Sequence, residues 1–462
     1  MDLAGTWRAA PANDELRRVF AEPGYSEAQA SSRTGAIEEW TDIDVPGHWR
    51  SAARFSDNDG AVLYRRTFSA TRPGEDRRVW LKFDGIFYQG DVWLDGAYVG
   101  DTEGYYLPHD FDVTEQFNER TEHVVAVEVS CPPQNNQAAK RNLTGMFQSS
   151  DHLDRRWNPG GIWQSVHVEE TGPIRIKRLR CICLDASTER AELAIRAVVD
   201  CARAGTVRLR SDVGTTFHEF DHAVAKGSNR VEWRVVVERP MLWWPLALGR
   251  PHMTDVVVSV FDVPTPSAVT LPPVEAEAGA TSELGQPSDS RRFRTGLREV
   301  RMKNWIFQIN GERMHLKGAN IGPVRMAIGD ATVAELRQDI AAAQDAGLDF
   351  LRVNAHVTHP SFYDAADEMG MLVWQDLPLQ RGYARSVRKQ AVRQAGEAID
   401  LLGHHPSIIH WCGHNEPLAF DADPETMAGS TRKAAELKGR YTRCRRSRPG
   451  TSRCSTSRST GR

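Results

Sequence analysis

The chain has 462 residues, 40% of them hydrophobic and 26% charged, with a formal net charge of −3. That length suits about three domains at roughly 100–200 residues each, and the composition suits ordinary buried cores. So small a net charge gives no overall pull toward nucleic acid, and no apolar run approaches the roughly 18 residues that would argue for a membrane span. Cys181 and Cys183 form a C-x-C pair with no matching second pair, so they are expected to be small core hydrophobes of one strand face; no metal and no cofactor are expected. The opening Met1-Asp2-Leu3-Ala4-Gly5-Thr6-Trp7 lacks the basic and apolar regions of a signal peptide, which sets the expectation of a cytoplasmic protein.

Residues 1–172 read as β. Arg78-Val79-Trp80-Leu81-Lys82-Phe83 alternates, as does Asp91-Val92-Trp93-Leu94. Asp95-Gly96 follows at once, a type I′ hairpin signal, and a further alternating strand covers 123–129. Many short strands punctuated by Gly, Pro and Asp predict a sandwich or jelly roll. Residues 173–295 form a second β block of immunoglobulin-like size, with alternation at 191–199, 206–210, 231–237 and 255–261. Its segment 264–290, rich in Pro, Ala, Glu, Gly and Ser, reads as a loop or linker.

The pattern changes after residue 300. Strands are expected at 315–320, 350–354, 371–376 and 407–414, alternating with helices at 332–346, 360–369 and 387–402. For the first helix, Asp330 stands near the N-cap and Gly347 is the stop. Strand and helix repeating at this spacing predict a (β/α)8 barrel, of which residues 296–439 supply the first half. Four strands without ring partners would leave an open edge. Residues 440–462 differ from everything before them, with eight arginines and no acid, and are expected to be a non-native, unstructured basic tail.

The fourth barrel strand runs into Asn415-Glu416-Pro417, and His405-Pro406-Ser407-Ile408-Ile409-His410-Trp411-Cys412-Gly413-His414-Asn415-Glu416-Pro417 resembles glycoside hydrolase family 2. The resemblance recurs along the chain in order. Gly5-Thr6-Trp7, Val45-Pro46-Gly47-His48-Trp49, Tyr64-Arg65-Arg66-Thr67-Phe68, Phe83-Asp84-Gly85-Ile86 and Val92-Trp93-Leu94-Asp95-Gly96 resemble the family's sugar-binding domain, and Gly160-Gly161-Ile162-Trp163 its closing signature. Leu242-Trp243-Trp244-Pro245 resembles the late part of the sandwich domain. Phe293-Arg294-Thr295-Gly296, Ile309-Asn310-Gly311 and Leu316-Lys317-Gly318-Ala319-Asn320 resemble the barrel entry.

What the resemblance implies is a retaining exo-β-glycosidase acting on a β-mannoside, β-galactoside or β-glucuronide. Glu416 would be its acid/base, and Asn415 would hydrogen-bond the sugar 2-OH. It further implies substrate-contacting roles for Arg352 near the catalytic carboxylates, His356 in the loop beyond it, and Trp374 at the pocket border. Asn158 stands where the first domain sends a loop to the pocket, at a place where mannosidases usually carry Asp. The family's nucleophilic Glu belongs to the seventh barrel strand, which this sequence does not contain, so a catalytically inactive carbohydrate-binding fragment is the alternative. The expected partner is a carbohydrate, with neither nucleic acid nor membrane, and a homo-oligomer is left open.

Overall fold

The computed structural model describes residues 1–25, 40–134, 142–148, 153, 154, 156–263, 285–304 and 306–416. Most of the loop expected at 264–290, and all of the basic tail at 440–462, lie outside the described residues.

The front block is two facing β-sheets. One has six strands in the order Thr41–Val45, Gly5–Pro11, Val62–Ser69, Glu122–Ser130, Gln89–Leu94, Ala97–Glu103; the other pairs Val166–Thr171 and His109–Asp112 on either side of Arg78–Phe83. Alternation does what it should: Val92 and Leu94 enter the core while Asp91 faces out. Asp95 at φ 53° and Gly96 at φ 85° form the tight turn that pairs Leu94 with Ala97, as the Asp-Gly dipeptide predicts. In Gly160-Gly161-Ile162-Trp163 the first glycine is steric: a Cβ there would lie 2.0 Å from a ring carbon of Trp49. Trp163 is buried, its indole N–H donating to the Tyr105 carbonyl at 2.5 Å.

The second block packs the sheet Ile174–Ala186, Arg190–Cys201, Gly227–Glu238 against the sheet Thr216–Val224, Gly205–Val213, Thr254–Val263, Asp289–Thr295. All pairings are antiparallel. The strand Arg190–Cys201 alternates along its whole length and buries every second side chain in the shared core. Cys181 and Cys183 are free thiols packed into that core.

Beyond a small antiparallel sheet (Val300–Lys303, Ile306–Ile309, Glu312–Met314), the chain builds one parallel sheet. Its strands, in spatial and sequence order, are Gly318–Ile321, Phe350–Val353, Leu372–Asp376 and Ile408–Cys412, alternating with the helices Val333–Asp345, Pro360–Met369 and Arg388–Leu402. Two local expectations need correction. The first parallel strand begins at Gly318 rather than His315. The first helix is capped by Thr332, not Asp330: the Thr332 hydroxyl accepts from Glu335 N and the Glu335 carboxylate accepts from Thr332 N, a reciprocal box that satisfies two otherwise orphaned donors. Asp330 instead sits in a 3-10 turn and accepts from the Ser51 hydroxyl at 3.1 Å.

The edge strand Gly318–Ile321 leaves Gly318, Ala319 and Asn320 exposed. The rest of the parallel unit is well covered. Its core residues and those of the front block form one continuous apolar cluster. The helix Arg388–Leu402 is held from two sides. Gln390 and Gln394 both donate to the buried Tyr88 hydroxyl at 2.8 Å, and Asp400 receives Arg180 and Arg196 from the second block.

Candidate functional site

In open parallel α/β sheets, ligands bind beyond the carboxyl ends of the strands. Four of the expected residues lie on or just past those ends: Arg352 on the second strand, Trp374 on the third, and Asn415 and Glu416 after the fourth. Parallel register sets Arg352 beside Trp374. The two-residue strand period puts Asp376 on the same face as Trp374.

Arg352 is the hub. Its Nε donates to both Asp376 oxygens at 3.1 Å, and its Nη2 donates to Asp376 Oδ2 at 2.7 Å and to Asn415 Oδ1 at 2.9 Å. Asp376 is completely buried and also accepts from Ala355 N at 3.1 Å. Burial pushes its pKa up, against the lowering effect of the Arg352 guanidinium. Asn415 is pinned through its backbone, with N–H donating to Leu379 O at 2.8 Å and C=O accepting from Arg381 N at 3.1 Å. Glu416 follows directly, exposed, with left-handed backbone at φ 42°. For a side chain with a Cβ this costs about 1 kcal/mol or more, the kind of strain that gathers at functional sites.

Trp374 is half-buried, its ring 5.5 Å from the Arg352 guanidinium and edge-on to His410 at 4.3 Å. His356 and Asn158 are more deeply buried than Trp374. His356 is fully buried, with Nδ1 2.9 Å from Asn354 O, and burial lowers its pKa to about 4. Asn158 is buried in the front block, and both ends of its amide are spoken for: Nδ2 donates to Cys131 O at 2.5 Å and Oδ1 accepts from Gly160 N at 2.9 Å. Thus Arg352, Trp374 and Asn415 come together beside Glu416, whereas Asn158 is bonded within the front block and His356 is buried in the loop after the second strand.

The front block reaches the rim through residues 142–148. Met146 N donates to Ala355 O at 3.0 Å, and a Cβ on Gly145 would fall 1.7 Å from that same oxygen, so only glycine permits the approach. Sequence reasoning missed Asp376 as a site residue, although its place two residues past Trp374 on an alternating strand was the available signal. Among the described residues, no group of three or more His, Cys, Asp or Glu side chains is arranged to hold a metal, and no helix is long and apolar enough to cross a membrane.

Residues 54–160 match the family described as Glycosyl hydrolase 2 galactose-binding domain-like. The chain is 24% identical over 406 residues to β-mannosidase B of Aspergillus clavatus, covering 81% of this chain and 45% of that protein. It is 22% identical over 357 residues to a β-galactosidase of Thermoanaerobacter pseudethanolicus, covering 75% and 44%. Among solved structures, β-D-mannosidase from Dictyoglomus thermophilum superposes with a TM-score of 0.72 at 17% identity, covering 95% of this chain and 56% of that one. The chain therefore spans about half the length of the curated relatives it matches.

Two β blocks are thus followed by parallel βα units, with a carboxyl, an amide and a guanidinium on or just past the strands' carboxyl ends. Residues 54–160 match a glycosyl hydrolase 2 domain, and most of the chain is similar to glycoside hydrolases named β-mannosidase and β-galactosidase.

Proposed function

We propose that this chain is the front portion of a retaining exo-β-glycosidase of the β-mannoside, β-galactoside or β-glucuronide type, with Glu416 as the acid/base. On this reading residues 1–172 are a jelly-roll sugar-binding-like domain and 173–295 an immunoglobulin-like sandwich. The βα units from residue 296 on are the first half of a (β/α)8 barrel. The observation that carries the reading is the Arg352–Asn415 contact at the strand ends, which sets an amide next to an exposed, freely accessible carboxyl.

Retention needs two carboxyls about 5–5.5 Å apart, one to protonate the leaving oxygen and later deprotonate water, the other to attack the anomeric carbon. Glu416 suits the first task because it is exposed at the rim. Asp376 does not suit the second, since it is buried and its oxygens are occupied by Arg352 and Ala355 N. The nucleophile is assigned to a further strand, and the catalytically inactive, carbohydrate-binding fragment is the second reading. The test is hydrolysis of 4-nitrophenyl β-D-mannoside, β-D-galactoside and β-D-glucuronide by a protein carrying these residues together with the remaining βα units, with the anomer of the first product read by proton NMR. Turnover of one substrate with a β first product supports the proposal. An α first product overturns it.

A further inference from the structure

We infer that Asp376 is a positioning residue: acting through Arg352, it fixes which end of the Asn415 amide is offered to a ligand, so that Asn415 meets the ligand as a hydrogen-bond donor. The nature of that ligand rests on the glycosidase reading, but the positioning itself does not.

A guanidinium carries only donors. The Asn415 atom that faces Arg352 Nη2 at 2.9 Å must therefore be the carbonyl oxygen. That leaves Nδ2 pointing away, and it makes no hydrogen bond among the described residues. The Asn415 backbone is tied down at both its N–H and its C=O, so the contact with Arg352 decides how the side-chain amide is turned. Arg352 is in turn fixed by the carboxylate. Three donor contacts from Nε and Nη2 to Asp376 define the plane and roll of the guanidinium. The Trp374 ring, 5.5 Å away, adds attraction but does not define that roll. Asp376 is suited to the task because it is completely buried, and because its contact with Ala355 N ties the same carboxylate to a loop residue at φ 50°. A ligand group that Asn415 recognises is accordingly an acceptor oxygen, such as a hydroxyl whose own proton is donated elsewhere.

The experiment is side-chain 15N–1H NMR of the 462-residue chain, with the Arg352 Nε–Hε and Asn415 NH2 signals assigned by their loss in Arg352→Gln and Asn415→Ala. The expected wild-type result is a slowly exchanging Arg352 Hε and two well-separated Asn415 amide protons. In Asp376→Asn, with the far-ultraviolet circular dichroism unchanged, Hε exchange should rise at least tenfold and the Asn415 pair should move toward the free-amide position; Asp376→Glu should restore part of both. Where Asp376→Asn does not fold, Arg352→Lys keeps the charge but removes the fork, and the Asn415 pair should move in the same way. Unchanged Asn415 signals in the folded variant overturn the inference. Because no glycoside is present, failure of the glycosidase reading leaves this outcome untouched.

Discussion

The Tyr105 hydroxyl donates to the Val357 carbonyl at 2.9 Å and accepts from the Val357 N–H at 2.6 Å, so one side chain of the front block satisfies both backbone groups of a residue in the loop after the second parallel strand. Tyr105 is fully buried, and burial holds its phenol pKa far above the ordinary value, so it remains a neutral donor and acceptor at any working pH. Tyr105→Phe keeps the ring and removes the oxygen, leaving a buried N–H and a buried C=O without partners. Each such orphan costs about 1–3 kcal/mol. The variant is expected to lose about 2 kcal/mol or more of unfolding free energy in urea. A loss under about 0.5 kcal/mol would mean the two groups find water or another partner.

His48 makes stability depend on pH. It is fully buried, with Nδ1 2.6 Å from Pro159 O and Nε2 accepting from Gly329 N at 3.0 Å, and burial lowers its pKa from 6.5 to about 4. Between those values the unfolded chain binds a proton at this site and the folded chain does not. The contribution of His48 is therefore fully present above pH 6.5 and declines as pH falls toward about 4. One proton corresponds to about 1.4 kcal/mol per pH unit. Measured by urea unfolding between pH 6 and 5, inside that window, His48→Gln should show a slope shallower than the wild type by about 1 kcal/mol per pH unit, whatever other groups contribute. Parallel slopes would show that His48 is protonated in the folded chain.

Asp400 joins the second block to the last helix by accepting from both Arg180 and Arg196, and all three side chains are largely shielded from solvent. Removing the acid leaves two arginines facing each other in partial burial, where losing one member of a buried ion pair costs about 3–5 kcal/mol. Asp400→Asn is expected to destabilise by about 3 kcal/mol. The additional variant Arg196→Met should recover part of that loss, because it removes the uncompensated charge. Thermal unfolding of the single and double variants measures this, and a double variant no better than the single would rule out charge repulsion as the cause.

Much of this architecture was legible because it is written in periodicity and turn chemistry. Asp95-Gly96 specified its hairpin through two positive φ angles, and the alternation at 191–199 specified a strand with one buried face. The change to strand–helix repeats after residue 300 located the parallel sheet to within a few residues. The cap was misplaced because Asp330 and Thr332 are both good caps, and only Thr332 has a glutamate three residues on. The places of Arg352, Asn415 and Glu416 at strand ends were legible from the strand pattern, while their roles rest on the family resemblance. The burial of His356 and Asn158 was not legible, because burial is a tertiary property: neither residue carries a local signal that other segments will close over it. Asp376 escaped notice for the converse reason. The strand period could place it on the face of Trp374, but its contact with Arg352, 24 residues away, is a cross-strand feature that the period alone does not encode.

Glu416 as acid/base has a signature that separates it from a structural carboxyl, in the protein carrying the complete barrel. The group has two tasks, protonating the leaving oxygen and then activating water against the glycosyl-enzyme. Glu416→Gln removes both without changing the side chain's size. Alkyl and disaccharide aglycones need the proton to leave, so their hydrolysis should fall by about 10²–10⁴-fold, the usual worth of general acid–base catalysis. An activated nitrophenyl aglycone departs without it, so formation of the glycosyl-enzyme should be affected far less and its breakdown should become rate-limiting. Sodium azide should then raise turnover of the nitrophenyl substrate, because the anion attacks the anomeric carbon without needing a base, and the product should be the β-glycosyl azide. Steady-state rates on the two substrate types with and without azide, plus NMR of the product, check all three steps. Equal losses on both substrates with no response to azide would remove Glu416 from the acid/base role.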